Sequence, residues 1–257
     1  MTKHRFGYKR DAIDTRDQHF GLVRPHVSLP PKFDLLDRMP YVQDQGETNA
    51  CIFYSLASII QHLDRANTAD DDEWFPSPYF MYWVTRNLEG DVEADDGAQI
   101  RNAIKAVAQF GACPNDYWSE NQPITKKPDE QAFAAAKQNL IGRYSRVAQS
   151  LDGIRSCLFA GHPFLFGFQV FPQFEGDQIA ANGLLLMPEG DPLGGHCVVA
   201  VGYDDIAQMV LVRNSYGDKW GLPTVKGHFL MPYRYITNPT LVSDLWTVQS
   251  VGEISEA

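Results

Sequence analysis

Cysteine is scarce in this 257-residue sequence: Cys51, Cys113, Cys157 and Cys197 are the full set, with no Cys-x-x-Cys pair. That is far from the density of a disulfide scaffold, so reduced thiols are expected. Positive charge is in deficit too, with 22 Lys and Arg against 32 Asp and Glu and a formal net charge of -10. Polyanions are gripped mainly through clustered Lys and Arg, which argues against a nucleic-acid partner. No apolar run reaches the length of a membrane span, and the polar start, Met1 to Phe20, has no stretch like the hydrophobic centre of a signal peptide. A cytoplasmic setting follows as the expectation, or export by a route that uses no such signal. Repeats and low-complexity linkers are lacking as well.

With 44% hydrophobic and 12% aromatic side chains, the sequence has enough apolar material for one large domain or two closely packed lobes. Residues 1–28 are polar and basic, and Pro25, Pro30 and Pro31 interrupt any helix there, which predicts an extended arm before a globular region over 29–257. From Asn49, the residues Ile52, Leu56, Ile59, Ile60 and Leu63 fall at helical spacing, so Cys51 sits at a helix N-terminus. Ser77-Pro78 opens a second helix running to about Leu88, and a third carries Ile100, Ile104 and Val107 and stops at Gly111. Further helices are expected around Gln131 to Asn139 and from Leu151 to Ala160. The pattern then turns to strands: Phe164 to Val170, Cys197 to Tyr203, Val210 to Arg213 and His228 to Met231. Helices first and antiparallel strands second predict an α+β protein with a cleft where the halves meet.

Three residues stand where chemistry is available. A cysteine acts as a nucleophile only as thiolate, and a helix N-terminus together with a neighbouring imidazole lowers its pKa, so Cys51 is expected to ionise well below neutral pH. His196 starts the run Gly195-His-Cys-Val-Val-Ala-Val-Gly-Tyr203, and Asn214 ends Met209-Val-Leu-Val-Arg-Asn214. A turn at Asp204 to Ala207 makes these a hairpin with His196 opposite Ser215, beside Asn214. Nucleophile, base and orienter are then in reach of one another.

The flanking residues carry a resemblance. Val42-Gln-Asp-Gln-Gly-Glu-Thr-Asn-Ala-Cys51, with Gln45 six residues before the cysteine, is similar to the stretch leading to the nucleophile in papain-like cysteine peptidases. The histidine run and Arg213-Asn-Ser-Tyr-Gly-Asp-Lys-Trp-Gly221 resemble the same family's histidine strand and Asn-Ser-Trp-Gly signature, and Asp96-Gly97-Ala98 its cleft segment. The resemblance to peptidase family C1 runs from about Leu29 to about Met231. It implies a helical left lobe (about 29–140) bearing Cys51, a β-rich right lobe (about 141–257) bearing His196 and Asn214, and a groove between them. It further implies that Gln45 and the Cys51 N–H bind the oxyanion and that Gly97, Ala98 and Gly195 line the substrate site. Thr48 stands where secreted members have a half-cystine, Ile52 where a Trp follows the nucleophile, and Tyr216 where a Trp covers the His–Asn pair. The chain therefore looks like a disulfide-free, bacterial-type member without a long propeptide.

The activity so implied is peptide-bond hydrolysis through a Cys51 thioester, with a peptide or protein substrate, no cofactor and no metal; the oligomeric state is left open, a monomer being favoured. A transferase or ligase resolving the same thioester with an amine, and a non-catalytic binding module, are the alternatives. Phe164, Phe166 and Phe168 offer either a hydrophobic substrate pocket, centred on Phe166, or plain core. The arm is either an autoinhibitory segment lying across the groove or a tail on the surface. His196 and Cys197 face opposite sides of a strand and cannot share a metal ion. The acidic run Asp70 to Glu73 lacks calcium-loop spacing.

Overall fold

Helical spacing governs the chain up to residue 136 and two-residue alternation governs most of it from residue 140, and the elements follow that division. The structure, a computed structural model, describes residues 4–21, 28–67 and 74–252. In chain order they are β1 (Tyr8–Lys9), β2 (Lys32–Asp34), α1 (Cys51–Asn67), α2 (Pro78–Glu89), β3 (Ala98–Gln99), α3 (Ile100–Phe110) and α4 (Glu130–Ala136). Then follow β4 (Leu140–Arg146), α5 (Leu151–Phe159), β5 (Phe164–Val170), α6 (Asp177–Asn182), β6 (Gly194–Asp204), β7 (Met209–Arg213), β8 (His228–Pro232), α7 (Tyr233–Ile236) and β9 (Val242–Gly252). The acidic run at 70–73 and the arm residues 1–3 and 22–27 lie outside the described residues.

Helix ends obey their local chemistry. The Ser77 hydroxyl accepts from the Phe80 N–H with proline at the first position of α2, and Asp129 and Ser150 cap α4 and α5 in the same way. At α1 the Asn49 side chain does not cap; its amide donates to the Asp95 carbonyl, while the Ala50 carbonyl accepts from Phe53 and Tyr54.

Seven strands form one antiparallel sheet in the order β4-β9-β5-β6-β7-β8, with β2 pairing on β6. One core cluster joins α1, α2 and α3 to Leu165, Cys197, Val199, Val201 and Trp246; a second gathers Phe164, Phe166, Phe168, Val198, Ala200 and Phe229 with Ile154 and Leu158 of α5. The residues of β5 and β6 thus divide by parity between two cores, as strand alternation requires. Five strands, the short β1, β2 and β3 and the longer β4 and β9, were not anticipated from sequence. The β6–β7 ladder also departs from the expected hairpin. Tyr203 pairs Val210, but a bulge between Ala200 and Gly202 shifts the register before Val199 meets Arg213, where β7 leaves the sheet. His196 consequently has no ladder partner on that side.

Candidate active site

Cys51 is the first residue of α1, and Ser55, one turn on, donates its hydroxyl to the Cys197 carbonyl at 3.2 Å. That bond ties the helix carrying the thiol to the strand carrying the imidazole. His196 Nε2 is 2.8 Å from Asn214 Oδ1, so the ring's N–H lies on Nε2 and Nδ1 is left as the basic nitrogen. Nδ1 has no hydrogen-bond partner among the described residues, although His196 is fully buried. Asn214 is oriented in turn by the Ser215 N–H, which donates to the same Oδ1 at 2.9 Å. Tyr216 covers the pair, its ring 5.2 Å from that of His196. Phe168 and Phe174 close the other sides at 5.8 Å each.

Gln45 is brought to the same cleft by a backbone bond from its N–H to the Ser215 carbonyl. The Ser215 hydroxyl donates to Gln45 Oε1 at 2.6 Å, which fixes the amide flip and directs Nε2 into the cleft. The sequence reading missed Ser215 in this role; its place inside the Asn-Ser-Tyr-Gly run was the available signal.

Residues 4–9 occupy the cleft. Gln45 Nε2 donates to the Arg5 carbonyl at 3.2 Å, the His4 ring stacks on Tyr216 at 3.6 Å, and the Phe6 ring meets His196 edge-on at 6.3 Å. Gly7 passes over the turn into α1 so closely that a Cβ there would lie 1.8 Å from the Asn49 carbonyl oxygen. A Cβ on Gly97 would lie 1.9 Å from the Gly7 oxygen, so the crossing needs glycine on both strands. Tyr8 and Lys9 then pair in parallel with Ala98 and Gln99.

Beyond the cleft the arm is clamped by buried charge. Arg146 of β4 binds Asp11 (3.1 Å), Asp17 (2.6 Å) and Asp244 (3.1 Å), while Arg101 of α3 reaches Asp17 at 3.1 Å. Asp11 accepts as well from Trp246 Nε1 at 2.8 Å. The Arg146 N–H also donates to the Gln18 carbonyl, and its carbonyl accepts from the Phe20 N–H.

The electrostatics follow from that burial. Cys51 has no exposed surface, and burial pushes its thiol up to about 11 despite backbone hydrogen bonds from Cys197, Gly7 and Ile52 that favour the thiolate. Burial likewise brings His196 down to about 4, against the Asn214 hydrogen bond that supports its charged form. With the arm in place both groups are neutral near pH 7, not the ion pair that the helix start suggests. Covering the pair removes the water that would solvate either charge, and one helix terminus does not replace it.

Of the other candidates, Gly97, Ala98 and Gly195 line the arm directly. Phe166 is fully buried in the second core cluster, and the residue of β5 that meets the arm is its neighbour Gly167.

Two lobes joined by a β-sheet, with a cysteine at a helix start tied through Ser55 to the strand that carries a histidine–asparagine pair, have the architecture of a thiol peptidase. The comparisons agree. The chain is 34% identical over 282 residues to an uncharacterized peptidase C1-like protein of Acanthamoeba polyphaga mimivirus, covering 96% of this chain and 88% of that one. Xylellain, a cysteine protease from Xylella fastidiosa, is 35% identical with 97% of each chain covered and a TM-score of 0.88. Procathepsin B from Trypanosoma congolense, 17% identical, shares the fold with a TM-score of 0.74, covering 95% of this chain and 85% of that one. No protein-family model matches the chain. The chain belongs to the papain-like cysteine peptidases, family C1, and its four cysteines are free.

Proposed function

We propose that this cysteine peptidase cuts peptide bonds through Cys51 and that the arm holds it latent. Once the groove is open, the Cys51 proton passes to His196 and the thiolate attacks the scissile carbonyl. Gln45 Nε2 and the Cys51 N–H stabilise the oxyanion, each such donor being worth about 3 kcal/mol. The imidazolium protonates the leaving amine. Water activated by His196 then opens the thioester, releasing the acid and restoring the thiol. Asn214 keeps the His196 ring in its reactive tautomer.

The observation that carries this reading is the Gln45 amide: Ser215 sets its orientation, and its N–H already grips a peptide carbonyl, that of Arg5. The same contact supports latency, since the arm's backbone lies where the substrate carbonyl must go. Four unpaired thiols support work in a reducing, cytoplasmic setting; no helix among the described residues is long and apolar enough to cross a membrane. Cys51→Ala should abolish both turnover of a peptide pool and labelling by a thiol-directed peptidyl epoxide. Full turnover in that variant would remove Cys51 from the mechanism.

A further inference from the structure

The Tyr8 ring of the arm packs beside β6, the strand that carries His196. Its backbone lies opposite Ala98, and its carbonyl oxygen is so near Gly195, the neighbour of His196, that a Cβ there would stand 2.6 Å away. The ring enters a slot over Gly167, where a Cβ would fall 2.0 Å from Cζ. Any larger residue at 167 would fill the space the ring takes. At the end of the slot the Tyr8 hydroxyl donates to Asp244 Oδ2 at 2.5 Å and sits 2.6 Å from Ser243 Oγ. A cavity of about 360 Å³ bounded by Tyr8, Leu193, Gly195, Leu241 and Ser243 adjoins it, so the slot is a recess of the groove and not sealed core.

Asp244 is built to face this slot. Its backbone has φ of +56°, a conformation that costs a residue with a Cβ, and it is the buried carboxylate at the slot's end. Three carboxylates share Arg146 while the arm is docked, but Asp11 and Asp17 belong to the arm and leave with it. The Asp11 N–H, which also donates to Asp244 Oδ2 at 2.8 Å, departs too. What remains is one carboxylate against one guanidinium, 3.1 Å apart, with Oδ2 short of a donor.

We infer that Asp244, at the end of the slot filled by Tyr8, makes that slot select tyrosine over phenylalanine and arginine on a substrate peptide; this rests on the peptidase reading above. Because Arg146 already balances the carboxylate, a neutral hydroxyl satisfies the floor where a lysine or arginine would bring one charge too many. Phenylalanine fills the same slot but leaves the Asp244 oxygen without its donor, and a buried acceptor stripped of its partner is what discriminates most strongly between such analogues.

The test uses the full chain carrying Gly7→Ala, to unseat the arm, and Cys51→Ala, so that peptides bind without being cut. Blocked, fluorescently tagged alanine pentapeptides with a single Tyr, Phe or Arg are titrated by fluorescence polarisation. Tyrosine peptides should bind about tenfold more tightly than phenylalanine ones and more tightly than arginine ones. The difference should vanish in Asp244→Gly, which accepts the left-handed backbone without strain, and shrink in Asp244→Asn, which keeps the side-chain shape. Equal affinities, a preference for arginine, or a tyrosine preference that survives Asp244→Gly would overturn the assignment. Turnover by the Gly7→Ala chain with Cys51 intact is read separately. Failed chemistry shows there while the binding preference stands, and a failed pocket shows as equal binding while turnover stands.

Discussion

His4 lies flat on Tyr216, ring centroids 3.6 Å apart and planes within 9°, so an arm residue covers the ring that itself covers the His196–Asn214 pair. The His4 Nε2 also reaches Asp44 at 3.1 Å, and this contact holds the Asp44 carboxyl below its ordinary range. The arm is thus fastened beside the imidazole, and under the latency proposed above its displacement precedes activity.

Gly7→Ala tests that requirement directly. The added methyl meets the Asn49 carbonyl oxygen, which is backbone at the start of α1 and has no room to move. Turnover of a mixed peptide substrate should rise about tenfold or more over the unaltered chain, measured beside a thermal melt that shows the domain folded. Unchanged turnover in a folded variant would make the arm a bystander.

The thiol itself reports the arm's position. A cysteine reacts through its thiolate fraction, which shrinks as pH falls below the pKa, so with Cys51 at about 11 the full chain should alkylate slowly with iodoacetamide at neutral pH, the rate climbing as pH rises toward 11. With the arm unseated, water and the α1 terminus stabilise the thiolate, and the Gly7→Ala chain should already react fast at pH 7. Identical pH profiles for the two chains would show that the arm does not govern ionisation.

Arg146→Ala leaves Asp11, Asp17 and Asp244 without their shared cation and removes the guanidinium stacked 4.5 Å over Trp246. Stripping one partner from a buried charge cluster costs about 3 kcal/mol or more. The melting temperature should fall, and because two of the three carboxylates are on the arm, with Asp17 keeping only Arg101, basal turnover should rise. A lower melting temperature with no gain in turnover would separate the clamp from latency.

Much of the catalytic half of this arrangement was legible in sequence. Helical spacing after Asn49 placed Cys51 at the start of α1, and Ser77-Pro78 and Gly111 marked the ends that the structure shows. The strand runs from Phe164 and His228 were found within a residue or two of their observed limits. The β6–β7 register was not, because the bulge at Val201 inserts a residue that alternation alone does not reveal. Strand β4 was hidden by Gly142, Arg143 and Arg146, charged or glycine positions that mask its alternation. Phe166 illustrates the limit of a one-strand argument: Phe164, Phe166 and Phe168 share a face, but only the paired strands determine that this face looks into the core and Gly167 into the groove. Asp244 carried no local signal at all. Its role depends on Tyr8 and Arg146, which are distant in sequence and meet only in the folded chain.

Cys51 has no surface open to solvent while Gly7 lies across it. Peroxides attack the exposed thiolate first and carry it through sulfenic to irreversibly oxidised acids. A sulfur that is both neutral and covered offers neither the charge nor the approach that this attack needs. Under the latency proposed above, the same few residues that would keep substrate out would also preserve the unused enzyme, so that a molecule released from the arm would still have a reduced nucleophile to work with.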